Sequence, residues 1–170
     1  MQKIPFSVII DYAHTPDSLE KVYKTLKPSA KGGSASGGKN HNLKANKLIC
    51  VLGAAGGGRD MWKRPVMGEV AARYCDQIIL TNEDPFDEDP QEILSEIEAG
   101  ILDNNKKKVR KILDRRDAIR TAIKMAKKGD TVIITGKGSE AFMRVANGKQ
   151  IPWNEKEIVT KILNNERIEA

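Results

Sequence analysis

An α/β fold, with a mostly parallel sheet covered by helices on both faces, is predicted by two features of this 170-residue sequence. Short, nearly continuous apolar runs recur along the chain, the pattern of strands buried on both sides. Amphipathic segments at helical spacing separate them, as parallel connections require.

The first predicted strand covers 6–10. Thr15 then caps a helix that opens on Pro16, where proline loses no bond it would have made, and Leu19, Val22, Tyr23 and Leu26 form one face. Residues 29–46 hold four glycines and little that can pack, so they read as a flexible insertion or linker containing His41. The second strand is 48–52, followed by a helix after Pro65 with Met67, Val70, Ala71 and Tyr74. Ile78–Leu80 is the third strand. Asp89 and Pro90 start the next helix, with Glu92 placed for a capping box and Ile93, Leu94, Ile97 and Ile101 as its stripe. Val109–Leu113 is a weaker strand. Asp114 and Asp117 precede the helical face of Ala118, Ala122, Ile123 and Ala126, and Thr131–Ile134 is the last strand of the alternating series. The tail differs: Phe142–Ala146 and Gln150–Trp153 flank Asn147-Gly148, a hairpin signal. Asn154 and Glu157 then open a final helix with Ile158, Ile162 and Leu163, so 142–165 reads as a terminal hairpin and helix against the sheet edge.

Composition narrows the function classes. With 39% apolar residues and a formal charge of +6 from 29 basic and 23 acidic residues, the chain reads as one folded domain over 1–170. No apolar run reaches the ~18 residues of a membrane helix, and the first apolar run meets Asp11 at once, unlike a signal peptide. A membrane role is therefore not expected. The charge is uneven: seven lysines and no acid lie between Lys21 and Lys47, and eight acids and no base between Glu83 and Glu98. A second basic block spans Lys106–Lys111. With eight aromatics and no recognition motif, this pattern argues against nucleic acid and leaves small anionic ligands open. Cys50 lies in an apolar run and reads as a buried free thiol; two Cys and two His make a metal site improbable, and no metal ligand is expected in this chain.

Ligands of open parallel sheets bind beyond the carboxyl ends of the strands. Four polar clusters fall there: Asp11–Asp17, Gly53–Arg64, Thr81–Asp89 and Gly136–Glu140. Asp11 can accept ribose hydroxyls and His14 can stack on a base or orient a phosphate; alternatively Asp11 and Thr15 only organise a turn. The run GAAGGGRD, Gly53–Asp60, is neither a Walker loop nor a dinucleotide fingerprint. Its glycines serve either a close chain approach or, with Arg59, Lys63 and Arg64, an anion grip. Glu83, Asp84 and Glu140 can receive an ammonium group. No nucleophile triad is visible.

At these clusters the sequence resembles a known family. DYAHTPDSLE (Asp11–Glu20), GAAGGGRD with KRPVMG (to Gly68), TNEDPFDEDP (Thr81–Pro90), LDRRDAIRTAI (Leu113–Ile123) and GKGSE (Gly136–Glu140) occur in the order found in carboxyl-terminal domains of Mur ligases. The likeness is greatest to the UDP-N-acetylmuramoyl-tripeptide synthetase branch. It implies a Rossmann-like domain of about six strands in a cytoplasmic, ATP-dependent, amide-bond-forming ligase of peptidoglycan precursor synthesis. In that family ATP and Mg2+ activate the carboxylate of a UDP-muramoyl peptide as an acyl phosphate, which the amine of an incoming amino acid attacks. The catalytic groups then belong to a central ATPase domain, and an amino-terminal domain holds the UDP portion. Both are partners this chain lacks, so it is expected to fold, to bind ATP weakly and to be inactive alone. The resemblance assigns Asp11 and His14 to the nucleotide, and Arg59, Asp84 and Glu140 to the incoming amino acid. Lys63 and Arg64 match KRP and are structural or anion-contacting.

Glu83, Phe86 and Ser139 are candidate selectivity positions. The family's DNPR motif of diaminopimelate-adding enzymes reads Glu83-Asp84-Pro85-Phe86 here, and GKGHE has Ser139 for His. Losing an arginine at 86 removes charge-assisted hydrogen bonds of about 1.5–3 kcal/mol each. With three acids remaining, lysine is expected over diaminopimelate. A noncatalytic nucleotide or precursor-binding module and a folylpolyglutamate-type ligase domain are the alternatives.

Overall fold

A computed structural model describes residues 4–27, 46–58 and 60–165. Arg59, His41 and nearly all of the 29–46 segment lie outside them.

Among the described residues, five parallel strands form one sheet: β1 (Ser7–Ile10), β2 (Leu48–Leu52), β3 (Gln77–Leu80), β4 (Val109–Lys111) and β5 (Thr131–Ile134), in the order β1-β5-β2-β3-β4. The resemblance implied about six strands. The remaining two, β6 (Phe142–Val145) and β7 (Lys149–Pro152), pair antiparallel in a separate hairpin. Side chains alternate across the sheet. Cys50, Leu52, Ile78, Leu80 and Ile133 pack against α1 (Pro16–Leu26), α2 (Lys63–Tyr74) and α3 (Pro90–Ala99). Ile49, Val51, Ile79, Val132 and Ile134 pack against α5 (Arg115–Met125) and α6 (Glu155–Asn165). A one-turn helix, α4 (Asp103–Lys106), precedes β4. No described helix is long and apolar enough to cross a membrane.

The starts follow local chemistry. Thr15 and Ser18 form a reciprocal capping box on α1, and Asp89 caps α3 by accepting from Gln91 N–H. Asp114 caps α5 through Asp117 N–H, and Asn154 Oδ1 accepts from Glu157 N–H at α6. The second helix begins at Lys63, before Pro65, because proline is tolerated throughout a first turn. Gly68 lets α2 and α3 nearly touch: a Cβ there would sit 1.9 Å from Ile97 O.

Two expectations change. Cys50 is not a free thiol but is disulfide-bonded to Cys75, because α2 returns across β2 and brings the two Cα atoms to 6.2 Å. The terminal hairpin does not lie along a sheet edge strand. It leans on the loop after β3, where Phe86 bridges Val145 and donates its N–H to Arg144 O at 3.3 Å.

Parallel register then sets the functional edge. Ile10 pairs with Ile134, Ile134 with Val51, and Leu52 with Leu80. Asp11, Gly53, Thr81 and Thr135 therefore leave the sheet side by side, at the place where β2 is flanked by β3 on one side and β5 on the other.

Candidate functional site

The loop after β1 is pinned by its own side chains. Asp11 Oδ1 accepts from Ala13 N–H at 2.8 Å, so the turn-forming role of Asp11 is present. His14 Nδ1 lies 2.9 Å from Tyr12 O, and its ring meets the Tyr12 ring edge-on at 4.8 Å between centroids. Asp11 and His14 line a shallow, mainly apolar groove of about 550 Å3 that includes Val22 and Leu26. An apolar wall for a flat ring beside a carboxylate for hydroxyls suits a nucleoside.

Next to it opens a cavity of about 730 Å3 that shares Tyr12 and His14 with the groove. Lys63, Glu83, Asp84, Phe86, Glu140 and Arg144 are among its lining residues. Of the ten residues singled out from sequence, six line this cavity, His14 among them; Asp11 lies in the neighbouring groove. Ser139 is exposed in a turn and is not among the lining residues. Arg64 is turned away from the ligand role: it is buried, pairs with Glu88 at 2.8 Å and Glu96 at 2.7 Å, and donates to Ala55 O. Buried and held by two carboxylates and a carbonyl of its own chain, Arg64 fits the structural alternative.

The glycine run serves close approach. Gly56 N–H donates to Asp84 O at 2.7 Å, and a Cβ on Gly56 would lie 2.1 Å from Pro85 O. Gly58, at φ +72°, donates its N–H to Glu88 Oε1 at 2.6 Å. Burial would raise the Glu88 carboxyl, but the Gly58 N–H and Arg64 outweigh it and hold it below the ordinary range. With these two N–H groups committed within the chain, the loop is not a free phosphate cradle.

The acids expected to meet a ligand are already partnered, which sequence reasoning missed. Lys137, fully buried, extends Nζ to Asp84 Oδ1 at 2.8 Å and to a Glu140 carboxylate oxygen. Asp84 also accepts from Arg144 N–H at 2.9 Å and from Arg144 Nη1 at 3.0 Å. Tyr12 OH donates to Glu140 Oε1 at 3.1 Å. Glu83 is the exception: its Oε2 is buried without a hydrogen-bond partner in the described structure. Burial pushes its carboxyl up, although Arg115 and Lys137 pull the other way. Gly136, at φ +106°, presses on it; a Cβ would lie 2.3 Å from Glu83 Oε2.

Beneath the cavity, Arg115 and Glu155 form a fully buried pair, Nη2 to Oε1 at 2.6 Å. Arg115 also donates to Thr135 O at 2.8 Å and Asn82 O at 3.3 Å, and Trp153 Nε1–H donates to Glu155. This network ties the ends of β3 and β5 to the terminal helix. The Lys between two glycines at 136–138 was a legible hint; Arg144 and Arg115 carried none, because their partners lie 60 and 40 residues away.

No group of three or more His, Cys, Asp or Glu among the described residues is arranged to hold a metal ion.

Comparison with known proteins agrees with this architecture. A family model described as "Mur ligase, glutamate ligase domain" matches residues 1–138. A UDP-N-acetylmuramoyl-L-alanyl-D-glutamate–2,6-diaminopimelate ligase of Aquifex aeolicus is 45% identical over 161 residues, covering 95% of this chain and 30% of that protein. A solved structure of a ligase with the same name superposes with a TM-score of 0.81 at 32% identity, over 98% of this chain and 31% of its own. A folylpolyglutamate synthase of Mycobacterium tuberculosis complexed with ADP and AMPPCP reaches only 0.50 at 19% identity over 76% of this chain and 26% of its own, a likeness of fold alone. The chain thus spans about 30% of the length of the curated relatives it matches. The five motif blocks in order, the parallel sheet with ligand-sized concavities at its carboxyl edge and these matches converge: the chain belongs to the Mur ligase family, as its carboxyl-terminal domain.

Proposed function

We propose that this domain serves an ATP-dependent ligase that joins an amino acid to a UDP-N-acetylmuramoyl peptide in the cytoplasm, contributing the amino-acid site and part of the nucleotide site. The observation that carries the proposal is the adjacency of two different concavities at one sheet edge. The Asp11–His14 groove suits a nucleoside, and the charged cavity lined by Asp84, Glu140 and Arg144 suits an amino acid, with Tyr12 and His14 common to both.

The residues present fit only part of ATP. Asp11 keeps Oδ2 for a ribose hydroxyl while Oδ1 holds the turn, and the His14 ring flanks an apolar wall for the base. The phosphates and Mg2+ belong in this reading to the central domain, since the Gly56 and Gly58 N–H groups are taken. ATP with Mg2+ supplies carboxylate activation; this chain's task is to hold the amino acid so that its amine faces the activated carboxyl. Domain closure around both ligands would exclude water from that step. Arg59, which follows Gly58 in the sequence, is the proposed partner of the amino acid's α-carboxylate.

Assaying the ligase that carries this domain, with ATP, UDP-muramoyl dipeptide and a panel of amino acids, tests the proposal. Phosphate release that needs both the precursor and one amino acid is expected. The 170-residue chain alone is expected to release none. A full ligase that binds nucleotide or precursor but forms no amide bond would overturn the reading in favour of a binding module.

A further inference from the structure

We propose that Arg144, on β6 of the terminal hairpin, is a specificity-determining residue that grips a carboxylate at the far end of the incoming amino acid's side chain. This inference rests on the ligase reading above.

The charges around the cavity decide which side chain it takes. Asp84 and Glu140 are matched by Lys137 and Arg144, so the four form a balanced cluster. A lysine side chain, a single positive charge, therefore meets no net excess of acid there. The earlier expectation of lysine treated Asp84 and Glu140 as free, and both are paired. Glu83 stands apart from that cluster: its Oε2 is buried without a hydrogen-bond partner in the described structure, and burial pushes its carboxyl up.

A side chain bearing both an ammonium and a carboxylate fits such a cluster, since each end can exchange with one half of the Asp84–Arg144 pair. Arg144 is placed for this. Its side chain is 44% exposed and lines the cavity, whereas Asp84 is nearly buried. Its guanidinium hydrogen bond to Asp84 uses Nη1, which leaves the Nε–Nη2 edge for a two-point contact with a carboxylate. The backbone holds it there, because Arg144 N–H donates to Asp84 Oδ1 and Arg144 O accepts from Phe86 N–H.

Phe86 explains why the cation comes from the hairpin. At φ +52° its ring lies over Gly57, 3.6 Å from where a Cβ would stand, and offers no charge. The bridge from Phe86 to Val145 places Arg144 beside that uncharged position. The class of substrate is thus a diamino dicarboxylic acid, for which meso-diaminopimelate is the probe.

The test compares meso-diaminopimelate and L-lysine as substrates of the ligase that carries this domain, in wild type, Arg144→Gln and Arg144→Lys. Wild type is expected to favour diaminopimelate. Arg144→Gln should lower the diaminopimelate-to-lysine ratio of kcat/KM by about 10–100-fold, chiefly through KM, as loss of charge-assisted hydrogen bonds predicts. Arg144→Lys, with its charge but not its fork, should fall between them. A wild-type preference for lysine overturns this inference and leaves the ligase reading standing. Equal losses with both substrates also overturn it, since they mark Arg144 as only a structural partner of Asp84. Failure to add any amino acid removes the ligase reading and this inference together.

Discussion

Replacing Arg115 by methionine strands Glu155 in the interior beneath the cavity. Both side chains of the pair are fully buried, so solvent cannot take over when the guanidinium goes. Arg115 also satisfies Thr135 O and Asn82 O, the carbonyls that leave β5 and β3. Removing one partner of a buried pair costs about 3–5 kcal/mol. Trp153 Nε1–H still supports Glu155, which points to the lower part of that range. For a chain of this length the melting temperature should fall by about 6–15 °C. Urea unfolding followed by circular dichroism, with a thermal melt beside it, measures the loss. The double variant Arg115→Met with Glu155→Leu is the control, because removing both charges is often near neutral and should recover most of the stability. Glu83 would also lose Arg115, the first of the groups that pull its carboxyl down, so its titration should move further upward in the single variant. A loss below about 1 kcal/mol, or a double variant no more stable than the single, refutes the reasoning.

Two further outcomes test the site's supports. Glu88→Gln weakens the hold on Gly58 and Arg64 and should cost about 1–2 kcal/mol near pH 7. Because the folded Glu88 titrates below its ordinary value, its contribution is present above the unfolded carboxylate range and is lost as pH falls through the lower folded value. The gap between wild type and variant should therefore shrink toward pH 3, and an unchanged gap across unfolding curves at the two pH values counts against it. Gly68→Ala places a methyl 1.9 Å from Ile97 O and must separate α2 from α3. It should cost about 1–3 kcal/mol in urea unfolding, despite alanine's better helix propensity, and an equally stable variant would show that the two helices are not in close contact.

Most of the backbone architecture was legible in the sequence. Apolar runs at 48–52 and 131–134 read as strands because burial on both faces leaves no polar alternation to hide them. Thr15-Pro16, Asp89-Pro90 and Asn154 marked helix starts, since an orphan N–H needs an acceptor within the same few residues. The site was legible as four clusters, as the carboxyl ends of parallel strands must share one edge. What could not be read was how those clusters neutralise one another. Nothing local to Asp84 announces Lys137 or Arg144, 53 and 60 residues away, and nothing at Arg64 announces Glu88 and Glu96.

By itself, then, the order of residues determined an α/β domain with polar loops gathered at one end and motifs that resemble one ligase family. Those properties depend on local periodicity, capping and spacing. Only the tertiary structure decided the ion pairing around the cavity, the disulfide between Cys50 and Cys75, and the placing of the terminal hairpin over the loop after β3. Each of these is a pairing between side chains or strands distant in sequence, and its free energy depends on a distance and a degree of burial that arise only when the sheet and its helices have packed.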